Sequence, residues 1–309
     1  MAKSVFDAPQ FKTEADAFAY VEAHLWPNGP VCPHCNSGKP VGKLSGKTTR
    51  PGLYKCYGCR KPFTVRMGTI FESSHLALHL WLQVIHLMCA SKKGISTRQI
   101  QRMLNCSMKT AWFLSHRIRE AMAPAQGEGP IGGEGKIVEA DEAFLTNSKH
   151  TRKRPGYQHK VGVLSLVERG GKQKTVVLRN APARPEIMKA IADNVHPDST
   201  LHTDGAQYYK FPRGVKKHES VNHSIGEYAR KTETGSVHVN TLEGFFSVFK
   251  RGMIGTYQHV SAEHLHRYTA EFDFRQNTRE KLGYNDVSRA NVALKGFKGK
   301  RLTYQTTSA

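Results

Sequence analysis

The stretch VHVNTLEGFFSVFKRG, Val237–Gly252, governs the reading of the chain. A helix starting at Asn240 or Thr241 is expected, because Leu242, Phe245, Phe246 and Phe249 recur at helical spacing along one stripe. One acid, Glu243, lies near its start, and Lys250 follows seven residues later. At ~100° per residue these two fall within about 20° of each other, on an edge flanking the apolar stripe. With Asn240 as the N-cap, Glu243 takes the third helical position, where a glutamate can reach back to the cap's N–H. Local grammar therefore offers Glu243 two roles, a helix cap or a group facing a cleft. The rest of the chain has to separate them.

Composition narrows the choice. The chain has 309 residues, with 46 Lys and Arg against 25 Asp and Glu, a formal charge of +21. Such a surplus favours a polyanionic partner through attraction to phosphates and counterion release. Apolar residues make up 39%, enough for folded cores and against a disordered chain. Apolar runs are short and interrupted, as by His79, Gln83 and His86 between Leu76 and Ala90, so none reaches the ~20 residues of a membrane span. The opening MAKSVFDAPQF lacks the apolar core of a signal peptide, so the expected compartment is the cytoplasm.

Four of the six cysteines form two close pairs, Cys32-Pro-His-Cys35 and Cys56-Tyr-Gly-Cys59. Two residues between thiols let both sulfurs of a knuckle face one ion, and two knuckles complete a tetrahedral site suited to zinc. Such a site is closed, so its Zn²⁺ is structural and supplies folding energy to a segment with little core. His34 is expected to face outward, and Cys89 and Cys106 read as core thiols. Ahead of the pairs, Thr13 is placed to cap a helix running to Trp26, with Asp16 at its third position.

Downstream, Ser91–Met122 has helix-turn-helix grammar: a helix near Ser96–Leu104, a turn at Asn105–Ser107, and a second helix capped by Ser107. In that motif the second helix enters the major groove, which nominates Lys109, Thr110 and Arg117 to face DNA, with Lys92, Lys93 and Arg98 near the backbone. The rival is an ordinary helical hairpin with a solvated basic face. The Gly- and Pro-rich APAQGEGPIGGEG, Ala123–Gly135, then reads as a linker.

From about residue 135, β-branched runs alternate with helical segments, the pattern of an α/β domain. Here Asp141 closes the apolar run KIVEAD, and alternation places Glu139 and Asp141 on one face and Glu142 on the other. Asp204 follows the short strand Thr200–Thr203, at a strand's carboxyl end, where α/β sheets hold ligands. The bland alternatives are a solvated strand-end acid and a turn aspartate. Together, Asp141, Asp204 and Glu243 offer the hard oxygen ligands that suit Mg²⁺ or Mn²⁺. Two such ions can clamp a phosphodiester, with Lys250 holding a neighbouring phosphate.

Several longer blocks, in this order, carry a resemblance: WPNGPVCPHC, YKCYGCRKPFTVRMGTIF, the SKKGIS…KTAWFLSHRIREAM segment, VEADEAF, TDGAQYY, and VNTLEGFFSVFKRG with GTYQHVSAEHLHRY after it. The chain resembles, over nearly its full length, the IS1595-family insertion-sequence transposases with their ISXO2-like transposase domain. That resemblance implies an RNase H-like catalytic domain with a mixed sheet and a DDE-type triad of Asp141, Asp204 and Glu243, trailed by Lys250. The spacings are 63 (204 − 141) and 39 (243 − 204). Asn240 stands as a substitute third-site residue, since that acid can be replaced in the family. Two Mg²⁺ (or Mn²⁺) ions are implied at the triad. The implied chemistry is hydrolysis at the element's ends followed by attack of the freed 3′-hydroxyl on target DNA. Partners would be the terminal inverted repeats, target DNA and further copies of the chain bridging two ends, in a bacterial, nucleoid-associated setting. The basic SKHTRKRPGYQHK, Ser148–Lys160, including Arg152, Lys153 and Arg154, is expected at a hairpin tip on DNA backbone.

The expected layout is a multidomain α+β and α/β chain. It comprises an N-terminal helix and Cys₄ zinc ribbon over 1–66, a helix-turn-helix segment over 67–125, a linker over 126–135, an RNase H-like catalytic domain over 136–285 and a basic tail over 286–309. Two alternatives stay open: a zinc-ribbon and helix-turn-helix regulator without catalysis, and an RNase H-like nuclease that cuts without joining.

Overall fold

The computed structural model describes residues 4–36, 38–124, 127–147, 160–178, 184–210, 212, 214–232, 235–300 and 302. Two compact units emerge: residues 1–91, 95–123 and 285–309 form the first, and 92–94 with 124–284 the second. Among the described residues no helix is long and apolar enough to cross a membrane.

In the first unit, α1 (Glu14–Leu25) begins where Thr13 accepts a hydrogen bond from Asp16 N at 3.1 Å. Strands β1 (Val41–Lys43), β2 (Tyr54–Cys56) and β3 (Pro62–Phe63) form a small antiparallel sheet in that order. Its core is meagre: Cys32, Tyr54, Cys56 and Phe63 are its buried members. Then come α2 (Leu78–Ala90), α3 (Thr97–Leu104) and α4 (Met108–Met122). Ser96 and Ser107 cap the last two, each accepting from a backbone N–H three residues on. Between them Asn105 takes the left-handed conformation (φ 47°), which ends α3 and turns the chain within two residues.

The expected basic tail over 286–309 is in part a packed helix. Residues 286–295 form α8 (Asp286–Lys295), started by a capping box between Asn285 and Ser288 and packed on α1, α2 and α4. Arg289 donates to Cys89 O at 3.0 Å, and the buried Phe297 sits edge-on to Phe71 at 5.1 Å between centroids. The apolar positions of α8 are few, and they read as a core face only once a partner surface is known.

The second unit is a five-stranded mixed sheet with helices on both faces. Its strands are β4 (Ile137–Asn147), β5 (Lys160–Glu168), β6 (Gln173–Leu178), β7 (Thr200–Asp204) and β8 (Lys217–Val221), in spatial order β6-β5-β4-β7-β8. The first three are antiparallel neighbours, whereas β4, β7 and β8 run parallel. A two-stranded ribbon, β9 (Arg230–Thr232) with β10 (Gly235–Val237), precedes α6 (Asn240–Gly252). Alternation on the strands builds two cores. Val138, Ala140, Leu164 and Leu166 meet α5 (Arg184–Asn194) on one face. Ala143, Val161, Val163 and Val167 meet α6 and α7 (Leu265–Asn277) on the other. Leu242, Phe245, Phe246 and Phe249 are the buried stripe of α6, as its spacing requires.

One buried acid ties α7 to the sheet edge. Asp273 accepts from Thr175 N at 2.7 Å, Thr175 Oγ1 at 2.6 Å and Gln173 Nε2 at 2.8 Å. Burial pushes its carboxyl up to about 6, against the pull of the Thr175 and Gln173 donors. The folded state thus keeps a proton that the unfolded chain loses near pH 3.8. Stability from this group is full below that value and is lost as pH rises through 6. Urea unfolding across a pH series should show the wild type losing stability relative to Asp273→Asn between about pH 4 and 6. Parallel profiles for the two proteins would contradict this.

Candidate active site

The spacing of 63 between Asp141 and Asp204 is a register. Parallel pairing joins Ile137 to Thr200, Val138 to Leu201 and Glu139 to His202, each pair 63 apart. Two residues further on, the same offset sets Asp141 beside Asp204 on neighbouring strands. Strand β4 does not end at Asp141, as the apolar run implied, but continues to Asn147 while paired with β5. The acids therefore face the crevice where β4 and β7 part. The two strands are central, and β6 and α5 cross over to reach β7, so this is the switch point where such sheets hold ligands.

Carboxylate oxygens of Asp141, Glu142 and Asp204 lie within 4.8 Å of one another. Burial pushes the Asp141 carboxyl up to about 6. The Glu142 N–H, 2.8 Å from its Oδ1, pulls it down; Asp204 and Glu243 raise it and Lys250 lowers it. All four sequence-nominated residues thus share one electrostatic neighbourhood. Asp204 also accepts from Ala206 N at 3.0 Å, which shapes the turn after β7.

Glu142 is the residue that sequence reading passed over. Tyr209 donates to its Oε2 at 2.7 Å and Tyr208 donates to its Oε1. Burial, with Asp141 and Asp204 beside it, pushes this acid up to about 8 despite the Tyr209 hydrogen bond. Both of its oxygens are engaged by phenols, so Glu142 fastens the turn carrying Tyr208 and Tyr209 to β4. Its proximity to Asp141 in the sequence was the available signal.

Glu243 and Lys250 are exposed on α6, outside the buried stripe, as the helical edge demanded. Lys250 Nζ lies 5.8 Å from the Phe246 ring centroid. Glu243 does not cap its helix. Val239 stands at the N-cap without a side-chain bond, and Asn240 is itself the first helical residue and exposed. The N–H groups of Thr241 and Leu242 donate instead to Glu139 Oε2, at 3.0 and 3.3 Å, and Leu242 N–H is shared with Val239 O at 3.0 Å. Among the described residues the Glu243 side chain has no hydrogen-bond or ion-pair partner. It also lies outside the tight carboxylate group of the two aspartates and Glu142.

A hard divalent cation fits this donor set. Carboxylates crowded into a partly buried crevice, with the proton affinity of Asp141 and Glu142 raised, lack positive charge, and oxygen ligands of this kind suit Mg²⁺ or Mn²⁺.

In the first unit the cysteine pairs converge. Sulfur separations are 3.7 Å for Cys32–Cys59 and 3.7 Å for Cys35–Cys56, and all four lie within 4.8 Å of one another. A tetrahedron with Zn–S bonds of about 2.3 Å has edges of about 3.8 Å, so the four sulfurs suit one Zn²⁺. His34 is exposed, with Nε2 3.3 Å from Pro62 O, and is not in the cluster.

The basic residues nominated for DNA divide. Lys92, Lys93, Arg98, Lys109 and Thr110 are exposed. Arg117 is not: it is 5% exposed, stacks 4.5 Å from the Phe113 ring, and donates to the carbonyls of Ile70, Glu72 and Leu302. A guanidinium held by three carbonyls serves the fold, so the expectation that Arg117 faces DNA is corrected. Arg152, Lys153 and Arg154, and with them the expected hairpin tip, lie outside the described residues.

Comparison with known proteins agrees with this geometry. Residues 132–277 match the model of the ISXO2-like transposase domain, and residues 12–62 match that of the transposase zinc-ribbon domain. The chain is also 29% identical over 290 residues to a protein in transposable element ISH50 of Halobacterium salinarum, covering 88% of this chain and 94% of that protein. The paired aspartates fall inside the first match and the four cysteines inside the second. On these grounds the chain belongs to the IS1595 family of insertion-sequence transposases.

Proposed function

We propose that the protein binds the ends of a mobile element and catalyses metal-dependent DNA strand cleavage and strand transfer. Asp141, Asp204 and Glu243 serve as a DDE-type triad. The observation that carries this reading is the shared level of Asp141 and Asp204 on adjacent parallel strands, with their carboxylates drawn together at the sheet's switch point. The strand order β6-β5-β4-β7-β8, with antiparallel β5, supports an RNase H-like assignment for the second unit.

Asp141 and Asp204 would hold the divalent ions from the sheet, and Glu243 from α6. When bound, such ions activate the attacking oxygen and stabilise the leaving one. The chain's own residues do the rest. Lys250, exposed on the edge shared with Glu243, binds a DNA phosphate and offsets the negative charge of the crevice. Glu142 and its two tyrosines fix the turn behind Asp204.

The capped pair α3–α4 acts as a helix-turn-helix that reads the terminal repeats, with Lys109 and Thr110 at the exposed start of its second helix. The net charge of +21 supplies the sequence-independent part of the binding. Copies of the chain bridge two ends during transfer.

Oligonucleotides carrying the element's own ends, incubated with the protein and Mg²⁺, test the reading. Both nicking at the ends and joining to a second duplex are expected. Cutting without joining would make the protein a nuclease, and specific binding with neither activity would make it a regulator.

A further inference from the structure

Glu139 is fully buried on β4, two residues before Asp141 and on the same face. Its carboxylate spans 102 residues of sequence to reach the start of α6. Oε2 accepts from the N–H groups of Thr241 and Leu242, and Oε1 accepts from Thr241 Oγ1 at 2.9 Å. A negative charge suits this end of a helix. Arg169, in the turn after β5, donates from Nε to Glu139 Oε1 at 2.7 Å. Its two other nitrogens reach Ser236 O at 2.6 Å, His238 O at 2.8 Å and His202 Nδ1 at 3.1 Å. Since a guanidinium only donates, His202 must present an unprotonated Nδ1. His238 Nδ1 lies 3.3 Å from Glu139 Oε1.

These two side chains gather the strands of both aspartates, β4 and β7, and the chain entering α6. The first turn of α6 carries Glu243, one residue past the amide that Glu139 holds. Lys250 follows about 10 Å further along the axis at 1.5 Å per residue.

We propose that Glu139 and Arg169 are positioning residues that set where Glu243 and Lys250 stand relative to Asp141 and Asp204, and so complete the metal site. The inference rests on the triad reading given above. It also explains a strand acid that touches no solvent: Glu139 serves as the helix cap that Glu243 does not provide.

The test uses the full chain and its element ends, with Mn²⁺ titrated against strand cleavage. Glu139→Gln keeps the side chain's shape but turns one acceptor into a donor facing either Arg169 or the α6 amides. It should raise the half-saturating Mn²⁺ about 10-fold and lower the rate at saturating metal by about 10- to 100-fold, as loss of an orienting partner does. End-DNA affinity should stay within about 2-fold, because no contact to DNA is removed. A purely structural role would leave the metal half-saturation of the folded fraction unmoved.

Thr241→Val removes the hydroxyl bond to Glu139 but leaves both amide bonds. It should shift the Mn²⁺ half-saturation in the same direction by a smaller factor, and it decides the matter if Glu139→Gln fails to fold. Wild-type metal dependence in every variant that folds would overturn the inference. Asp204→Asn in the same assay separates the two levels: if it is active, the triad reading itself has failed. If it is inactive while the Glu139 and Thr241 variants match wild type, only the positioning role has failed.

Discussion

Replacing Asp204 with asparagine is expected to lower strand cleavage and transfer by about 10³-fold or more, a loss of roughly 4 kcal/mol in transition-state stabilisation. The substitution suits the question because Asn retains the Oδ1 that accepts from Ala206 N at 3.0 Å, so the turn after β7 keeps its shape. What it removes is charge at the crevice shared with Asp141 and Glu142. Asp141→Asn should fall as far, because an ion shared by neighbouring carboxylates loses a ligand either way. Binding of the element's ends, measured by gel shift, should stay within about 2-fold of wild type, since phosphate contacts by Lys and Arg set that affinity. Loss of binding along with cleavage would mean that the aspartates hold the fold rather than the metal.

Removing zinc should have the second large effect, and in the other unit. The small sheet β1–β3 buries little besides Tyr54, Phe63 and two of the cysteines themselves. Structural zinc contributes about 10–16 kcal/mol of binding free energy in comparable small domains, far more than such a core provides. Chelation, or Cys56→Ser, is therefore expected to unfold this sheet and release one zinc per chain. Tyr54 donates to Glu22 on α1 at 2.8 Å, so the damage reaches that helix. End binding should weaken by at least about 10-fold if the ribbon contributes to DNA recognition. Metal analysis showing no zinc, or unchanged circular dichroism and binding after chelation, would contradict the assignment.

The features legible in the sequence were those carried by local spacing. The CxxC pairs dictated their own convergence, and strand alternation placed Glu139 and Asp141 together. Serines 96 and 107 announced the α3 and α4 starts. Even the number 63 held the register of β4 on β7, although only the pairing showed its meaning. Long-range partners stayed hidden. Nothing in the stretch around Asn240 reveals that its helix is capped from β4, so a local capping box looked sufficient for Glu243. Arg117 sits among basic residues on a helix, and only the carbonyls of Ile70, Glu72 and Leu302 show that it points inward. The segment of α8 lacked a strong apolar stripe, and the capping box at Asn285 and Ser288 was its one local signal.

With Glu139 in the cap, Glu243 has no capping bond to give up for the metal-ligand role proposed for it. No swing from cap to ligand is required.

The most direct measurement exchanges the hard oxygen ligand at Asp204 for a softer one. In strand transfer with the element's ends, Asp204→Cys should be inactive with Mg²⁺ and regain activity with Mn²⁺, because a thiolate accepts the softer ion better than Mg²⁺. Wild-type activity of Asp204→Cys in Mg²⁺ would show that this side chain holds no catalytic ion, and would contradict the triad.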